Sequence, residues 1–169
     1  MAVLPIRLFP DPVLHTQAHE VTDIDGPLQR FIDDMAETMY KAPGLGLAAN
    51  QVGDLRRVIV FDVSHREGKP DLKVLLNPCI TAAEGEIIHQ EGCLSVCDFS
   101  AEVRRHARVC VSGLDRHGKP VTLEAEGLMA VVLQHEIDHL NGILFLDRLS
   151  RLKRHLYMRK LKKRAETGG

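Results

Sequence analysis

The run Leu128-Met129-Ala130-Val131-Val132-Leu133-Gln134-His135-Glu136-Ile137-Asp138-His139 constrains this chain more than any other segment. Its first half is apolar without interruption, so a helix begun there has no polar face to turn toward water and must pass through the core. The same helix then carries two imidazoles four positions apart. An α-helix advances about 100° per residue, so positions i and i+4 stack on one face within about 6 Å, near enough to share one cation. Glu136 projects beside that face, where it can act as general base on a water activated by the cation. The segment therefore specifies both a core and a reaction class, metal-assisted hydrolysis.

The other elements are expected to wrap this helix. Gly127 opens it and Asn141-Gly142 reads as its C-cap. Asp25-Gly26-Pro27 followed by Leu28, Phe31, Ile32, Met35 and Met39 predicts a capped amphipathic helix ending near Ala42-Pro43-Gly44. Val58 to Val63 and Val74 to Leu76 are short β-branched or leucine-rich runs closed by turn signals, the second by Asn77-Pro78, and read as strands. Ala107 to Leu114 and Val121 to Glu126 flank a turn-rich loop from Asp115 to Pro120, the pattern of a β-hairpin. Ser150 to Glu166 predicts a cationic helix with Leu152, Leu156 and Leu161 as an apolar face to bury. The expected fold class is α+β: short antiparallel strands around a buried central helix carrying the metal-binding histidines, with a basic C-terminal helix at about 148–166.

A chain of 169 residues suits one domain, expected over 1–169. Net charge of −1 argues against a whole-surface nucleic-acid binder. That average conceals the C-terminal cluster Arg148, Arg151, Lys153, Arg154, Arg159, Lys160, Lys162, Lys163 and Arg164. Met1 to Pro10 lacks the apolar core of a secretory signal, and no run of about 18 apolar residues suggests a membrane span. A cytoplasmic monomer is expected. Cys79, Cys93, Cys97 and Cys110 are too few and too unevenly spaced for a secreted disulfide framework.

Two histidines do not complete a catalytic site, which usually has three protein ligands and leaves a position for water. Downstream, Asn141 to Asp147 offers only Asp147, without a Gly-rich continuation ending in a third histidine. The better candidate is Cys93 in Glu91-Gly92-Cys93-Leu94-Ser95. A thiolate with two imidazoles suits Zn²⁺ or Fe²⁺ more than Mg²⁺ or Ca²⁺. Cys97, four positions on, is read as a bystander thiol rather than a fourth ligand.

Gly44-Leu45-Gly46-Leu47-Ala48-Ala49-Asn50-Gln51, Glu91-Gly92-Cys93-Leu94-Ser95 and Gln134-His135-Glu136-Ile137-Asp138-His139 resemble, in order and spacing, the three signature motifs of peptide deformylase. The likeness extends from about Leu8-Phe9-Pro10-Asp11-Pro12 to the basic tail. It implies a metal-dependent hydrolase that removes formyl from the N-terminal formyl-methionine of nascent polypeptides, releasing formate. On matching positions, Cys93, His135 and His139 become metal ligands and Glu136 the general acid/base. Gln51 and the backbone N–H of Leu94 form the oxyanion hole. Fe²⁺ is implied as the native metal, with Zn²⁺, Ni²⁺ and Co²⁺ also accepted. The resemblance further implies a formyl-methionyl peptide bound as an added strand beside Gly46, with Leu45, Leu128, Val131 and Val132 around its methionine. Asp138 pairs with Arg105 on the same grounds, and the basic helix docks on the ribosome.

The chain departs from the family where Val-Pro-Gly and Val-Pro-Arg are usual, reading Val96-Cys97-Asp98 and Val103-Arg104-Arg105. Ser100 stands where a larger residue often meets substrate. These changes bear on the rim of the cleft, since all three motif cores are intact. A metallopeptidase or amidase with another acyl group, and a ribosome-associated module with a structural metal, are the competing readings; comparison of N-formyl, N-acetyl and internal peptide substrates separates them.

Overall fold

The tetrapeptide Val58-Ile59-Val60-Phe61 serves two cores at once, because successive side chains of a strand point to opposite faces. In the computed structural model, which describes residues 2–167, Ile59 and Phe61 join a core under one helix while Val58 and Val60 join a second core under another. This strand, β2 (Val58–Phe61), lies between β1 (Gly46–Ala48) and β3 (Lys73–Glu84). The sheet continues through β6 (Arg108–Leu114) to β7 (Pro120–Glu126), in the order β1-β2-β3-β6-β7. β4 (Ile87–Cys93) and β5 (Val96–Arg105) form a separate two-stranded sheet, and all strand pairs are antiparallel.

On one face of the large sheet lies α1 (Gly26–Lys41), started by the Asp25 carboxylate accepting the Leu28 N–H at 2.9 Å. Its stripe of Leu28, Ile32, Met35 and Met39 is fully buried against Leu47, Val58, Val60 and Leu76. On the other face lies α2 (Gly127–Leu140), burying Ala130, Leu133, Ile137 and Leu140 against Ile59, Phe61, Leu75, Val109 and Val111. The unbroken apolar run thus lies in the core, and its two histidines are carried along with it. Gly142, at φ 76°, ends the helix; a Cβ there would stand 2.8 Å from the His15 carbonyl oxygen.

Four expectations are corrected. The strands are not uniformly short: β3 has 12 residues and β5 has 10. Asn77-Pro78 does not end β3, because a bulge absorbs it. Asn77 takes φ 52°, the register shifts between Leu76 and Cys79, and the Asn77 amide pairs with the N–H and carbonyl of Val21 at 2.8 and 3.1 Å. The C-terminal helix, α3, spans Arg151–Glu166 rather than beginning at 148, since Phe145–Arg148 forms a separate 3-10 turn and Ser150 caps α3. Of its three predicted leucines only Leu161 packs against a core, and partly. Leu152 and Leu156 are exposed, and Tyr157 enters a third core with Leu14, Val96, Val103, Leu144 and Phe145.

Candidate metal centre

Side chains of strand β4 and helix α2 meet, Cys93 with His139 and Glu91 with His135, and this brings the three predicted ligands together. Cys93 Sγ lies 3.3 Å from His139 Nε2, which lies 3.2 Å from His135 Nε2, and the three donor atoms all fall within 4.8 Å of one another. Cys97 is exposed and outside this group. Asp147 is engaged elsewhere, accepting the Leu144 N–H at 2.8 Å and pairing with His15 and Arg154. Of the candidate third ligands, only Cys93 reaches the imidazoles.

The donor set fits a borderline-soft cation. His135 Nδ1 is 2.9 Å from Glu91 Oε1, so with Nδ1 protonated and donating, Nε2 is free to bind a metal. Among the described residues the buried His139 Nδ1 has no partner, so no hydrogen bond from them fixes its tautomer. Burial pushes the His135 imidazole down, but Cys93, Glu91 and Glu136 outweigh it and hold the group well above its usual value. Burial together with the charge of His135 pushes His139 well below it.

Glu91 belongs to a buried charge chain. Arg105 reaches it with two N–H groups at 2.7 and 2.8 Å and donates to Asp138 at 2.6 Å; Arg148 holds the same Asp138 at 2.6 and 2.7 Å. Burial pushes the Glu91 carboxyl up, yet Arg105 and His135 prevail and bring it down to about 2. Sequence reasoning assigned no role to Glu91 or Arg148. Strand alternation carried the signal for Glu91, which stands two residues before Cys93 on the same inward face of β4. Arg148 gave no comparable signal, since it lies within a basic run.

Glu136 is 2% exposed, and burial pushes its carboxyl up to about 7. Gly46 explains how it fits: a Cβ on Gly46 would stand 2.8 Å from Glu136 Oε2 and 2.9 Å from its Cγ. Gln51 is also buried. Its Oε1 accepts the Ala48 N–H at 3.0 Å, which turns Nε2 toward Ser95 Oγ at 3.1 Å and Cys93 Sγ at 3.6 Å. Next to it in sequence, Asn50 donates to the backbone carbonyl of His139, a second contact that sequence reasoning missed. Leu94 occupies the tight turn between β4 and β5.

Gln51, Cys93, Leu94, His135 and Glu136 line one cleft of about 560 Å³ together with Leu45, Gly46, Leu128, Val131 and Val132, while His139 is fully buried beside it. The predicted substrate contacts therefore share a surface with Cys93 and His135. Leu128 is exposed at the mouth, while Val131 and Val132 are buried. Asp98, Phe99 and Ser100 of β5 also line the cleft, with Gln90 donating to Ser100 Oγ at 3.0 Å.

Residues 3–155 match the family model described as polypeptide deformylase. A peptide deformylase of Thermodesulfovibrio yellowstonii is 54% identical over 162 residues, covering 96% of this chain and 98% of that one. One from Desulfosudis oleivorans is 53% identical, covering 97% and 95%. Among solved structures, a peptide deformylase from Legionella pneumophila superposes with a TM-score of 0.92 at 45% identity, covering 99% and 98%. One from Ehrlichia chaffeensis in complex with actinonin superposes at 0.90 and 40% identity, covering 97% and 98%.

Proposed function

Because the chain belongs to the polypeptide deformylase family, metal-dependent hydrolases that remove the N-terminal formyl group from nascent peptides, we propose that Cys93, His135 and His139 hold its metal and Glu136 its acid–base chemistry. The observation that carries this reading is the convergence of one thiol and two imidazoles within 4.8 Å beside a buried carboxyl. A bound dication would supply Lewis-acid polarisation of the formyl carbonyl and of water. Fe²⁺ is our choice of native metal, with Zn²⁺, Ni²⁺ and Co²⁺ acceptable to the same thiolate and imidazole donors.

Glu136, held near neutrality by burial, takes the proton of the attacking water and returns it to the departing amine as the C–N bond breaks and formate leaves. Gln51 Nε2 and the Leu94 N–H are the oxyanion donors. The pinned Gln51 amide supports this role, because a donor that need not reorganise stabilises developing charge best. β1 is the terminal strand of its sheet, so the edge carrying Gly46 can receive the peptide as an added strand. Leu45, Leu128, Val131 and Val132 enclose the formyl-methionine side chain. The cleft would also take actinonin, as the Ehrlichia chaffeensis relative does, in competition with peptide.

The chain acts in this reading as one catalytic domain over 1–169, a monomer working in the cytoplasm, where nascent chains emerge. Among the described residues no helix is long and apolar enough to cross a membrane. The exposed Leu152, Leu156 and Met158 set among the cations of α3 favour docking of that helix on the ribosome. Salt-dependent co-sedimentation with ribosomes tests that partner. The central test is formate release from formyl-Met-Ala-Ser by anaerobically purified, Fe²⁺-loaded protein beside Glu136→Gln at equal metal content. Release that vanishes in the variant supports the assignment; equal release from both overturns it.

A further inference from the structure

Asp98 adopts φ 52°, the left-handed region in which a side chain is rarely found outside Asn and Asp. It does so in a wall of the cleft, which Asp98, Phe99 and Ser100 line together with Cys93 and Glu136. A strand in that conformation needs restraint, and α3 provides it from outside. Lys160 Nζ donates to the Asp98 carbonyl at 2.8 Å, and Arg164 pairs with the Asp98 carboxylate. Tyr157, 3% exposed, lies against Phe99 with ring centroids 4.7 Å apart. The three residues recur at i, i+3 and i+7, so one face of α3 grips two consecutive residues of the cleft wall. Arg159 and Lys163, on the same helix, are exposed.

We propose that Lys160 and Arg164 are positioning residues for the peptide substrate: by holding Asp98 and Phe99 they shape the wall that receives residues beyond the formyl-methionine. The inference rests on the reading of this cleft as the peptide site. Neither cation touches the reacting atoms, so the helix governs peptide affinity rather than the chemical step. Both contacts lie at the surface, so salt weakens them.

The test uses the full-length, metal-loaded protein and two uncharged substrates, formyl-Met-Ala-Ala amide and formyl-Met amide. Lys160→Met/Arg164→Met is expected to raise KM for the longer peptide about two- to fivefold, the range open to exposed ion pairs, with kcat little changed. KM for formyl-Met amide stays as in the wild type, and the control Arg159→Met/Lys163→Met behaves as wild type on both. Asp98→Asn, which keeps the left-handed tolerance but loses the ion pair, should act in the same direction and non-additively with Arg164→Met. Raising ionic strength should increase KM for the longer peptide in the wild type and not in the double variant. An unchanged KM, an equal rise for both substrates, or an equal rise in the control overturns the proposal. A wild type that deformylates neither substrate overturns the reading of the cleft itself.

Discussion

Replacing Arg105 by methionine tests the buried charge chain behind the metal centre. The Arg105 side chain is 2% exposed and bridges Glu91, 4% exposed, to Asp138, 11% exposed. Removing one member of a buried ion pair costs about 3–5 kcal/mol, because the remaining charge stays in a poor dielectric. Asp138 keeps Arg148, and Glu91 keeps His135 at 2.9 Å, so the orphaned charge is partly relieved. The lower end, about 3 kcal/mol, is therefore expected, or a fall in Tm of roughly 6–12 °C for a chain of this size. Urea and thermal unfolding of metal-free protein measure it directly. The pH dependence gives a second check. Glu91 titrates at about 2 when folded against an ordinary 4.5, so its ionisation stabilises the fold fully above the unfolded value and the gain is lost as pH falls through the folded value. Methionine at 105 removes the main cause of that depression. The gap between wild type and variant should thus be widest at neutral pH and shrink toward pH 3. A loss below about 1 kcal/mol, or a gap indifferent to pH, would refute the reasoning.

Gly46→Ala should cut kcat by about 10²- to 10⁴-fold while metal content stays near wild type, since the three atoms nearest the new Cβ all belong to Glu136, which it displaces; metal analysis beside formate release checks both halves. Gln51→Met should lower kcat/KM by about 10²- to 10³-fold if its amide stabilises the oxyanion, and a change under threefold would remove it from that role. Cys93→Ala should lose bound metal as well as turnover, measured by elemental analysis after desalting; retention of both would refute its assignment as a ligand. The acid limb of kcat/KM should lie at or below about 7, because Glu136 must be ionised to accept a proton and a neighbouring dication favours that form. Activity undiminished well below that limb would exclude Glu136 as the base.

The ligand helix was legible because its signals are local: an all-round apolar run forces burial, and a four-residue spacing fixes two imidazoles on one face whatever surrounds them. The α1 stripe and the hairpin at Asp115–Lys119 were readable for the same reason. The third ligand was narrowed by chemistry and by a motif, but Cys93 and His139 are separated by 46 positions, and only the packing of β4 against α2 brings them together. The full length of β3 was hidden, because Asn77-Pro78 is a strand-ending signal until the chain at Val21 pairs with the Asn77 amide. Burial of Tyr157 instead of Leu152 and Leu156 was likewise decided by Phe9 and Phe99, residues far away in sequence. Helical periodicity and metal-ligand spacing are properties of consecutive residues, so the sequence by itself determined the central helix, its two histidines and its glutamate. The extension of the expected Arg105–Asp138 pair to Glu91 and Arg148, the pinned Gln51 amide and the grip of α3 on Asp98 depend on which distant elements come into contact. Only the tertiary structure decided them, because buried charges and strained backbone are tolerated just where another part of the chain supplies the partner.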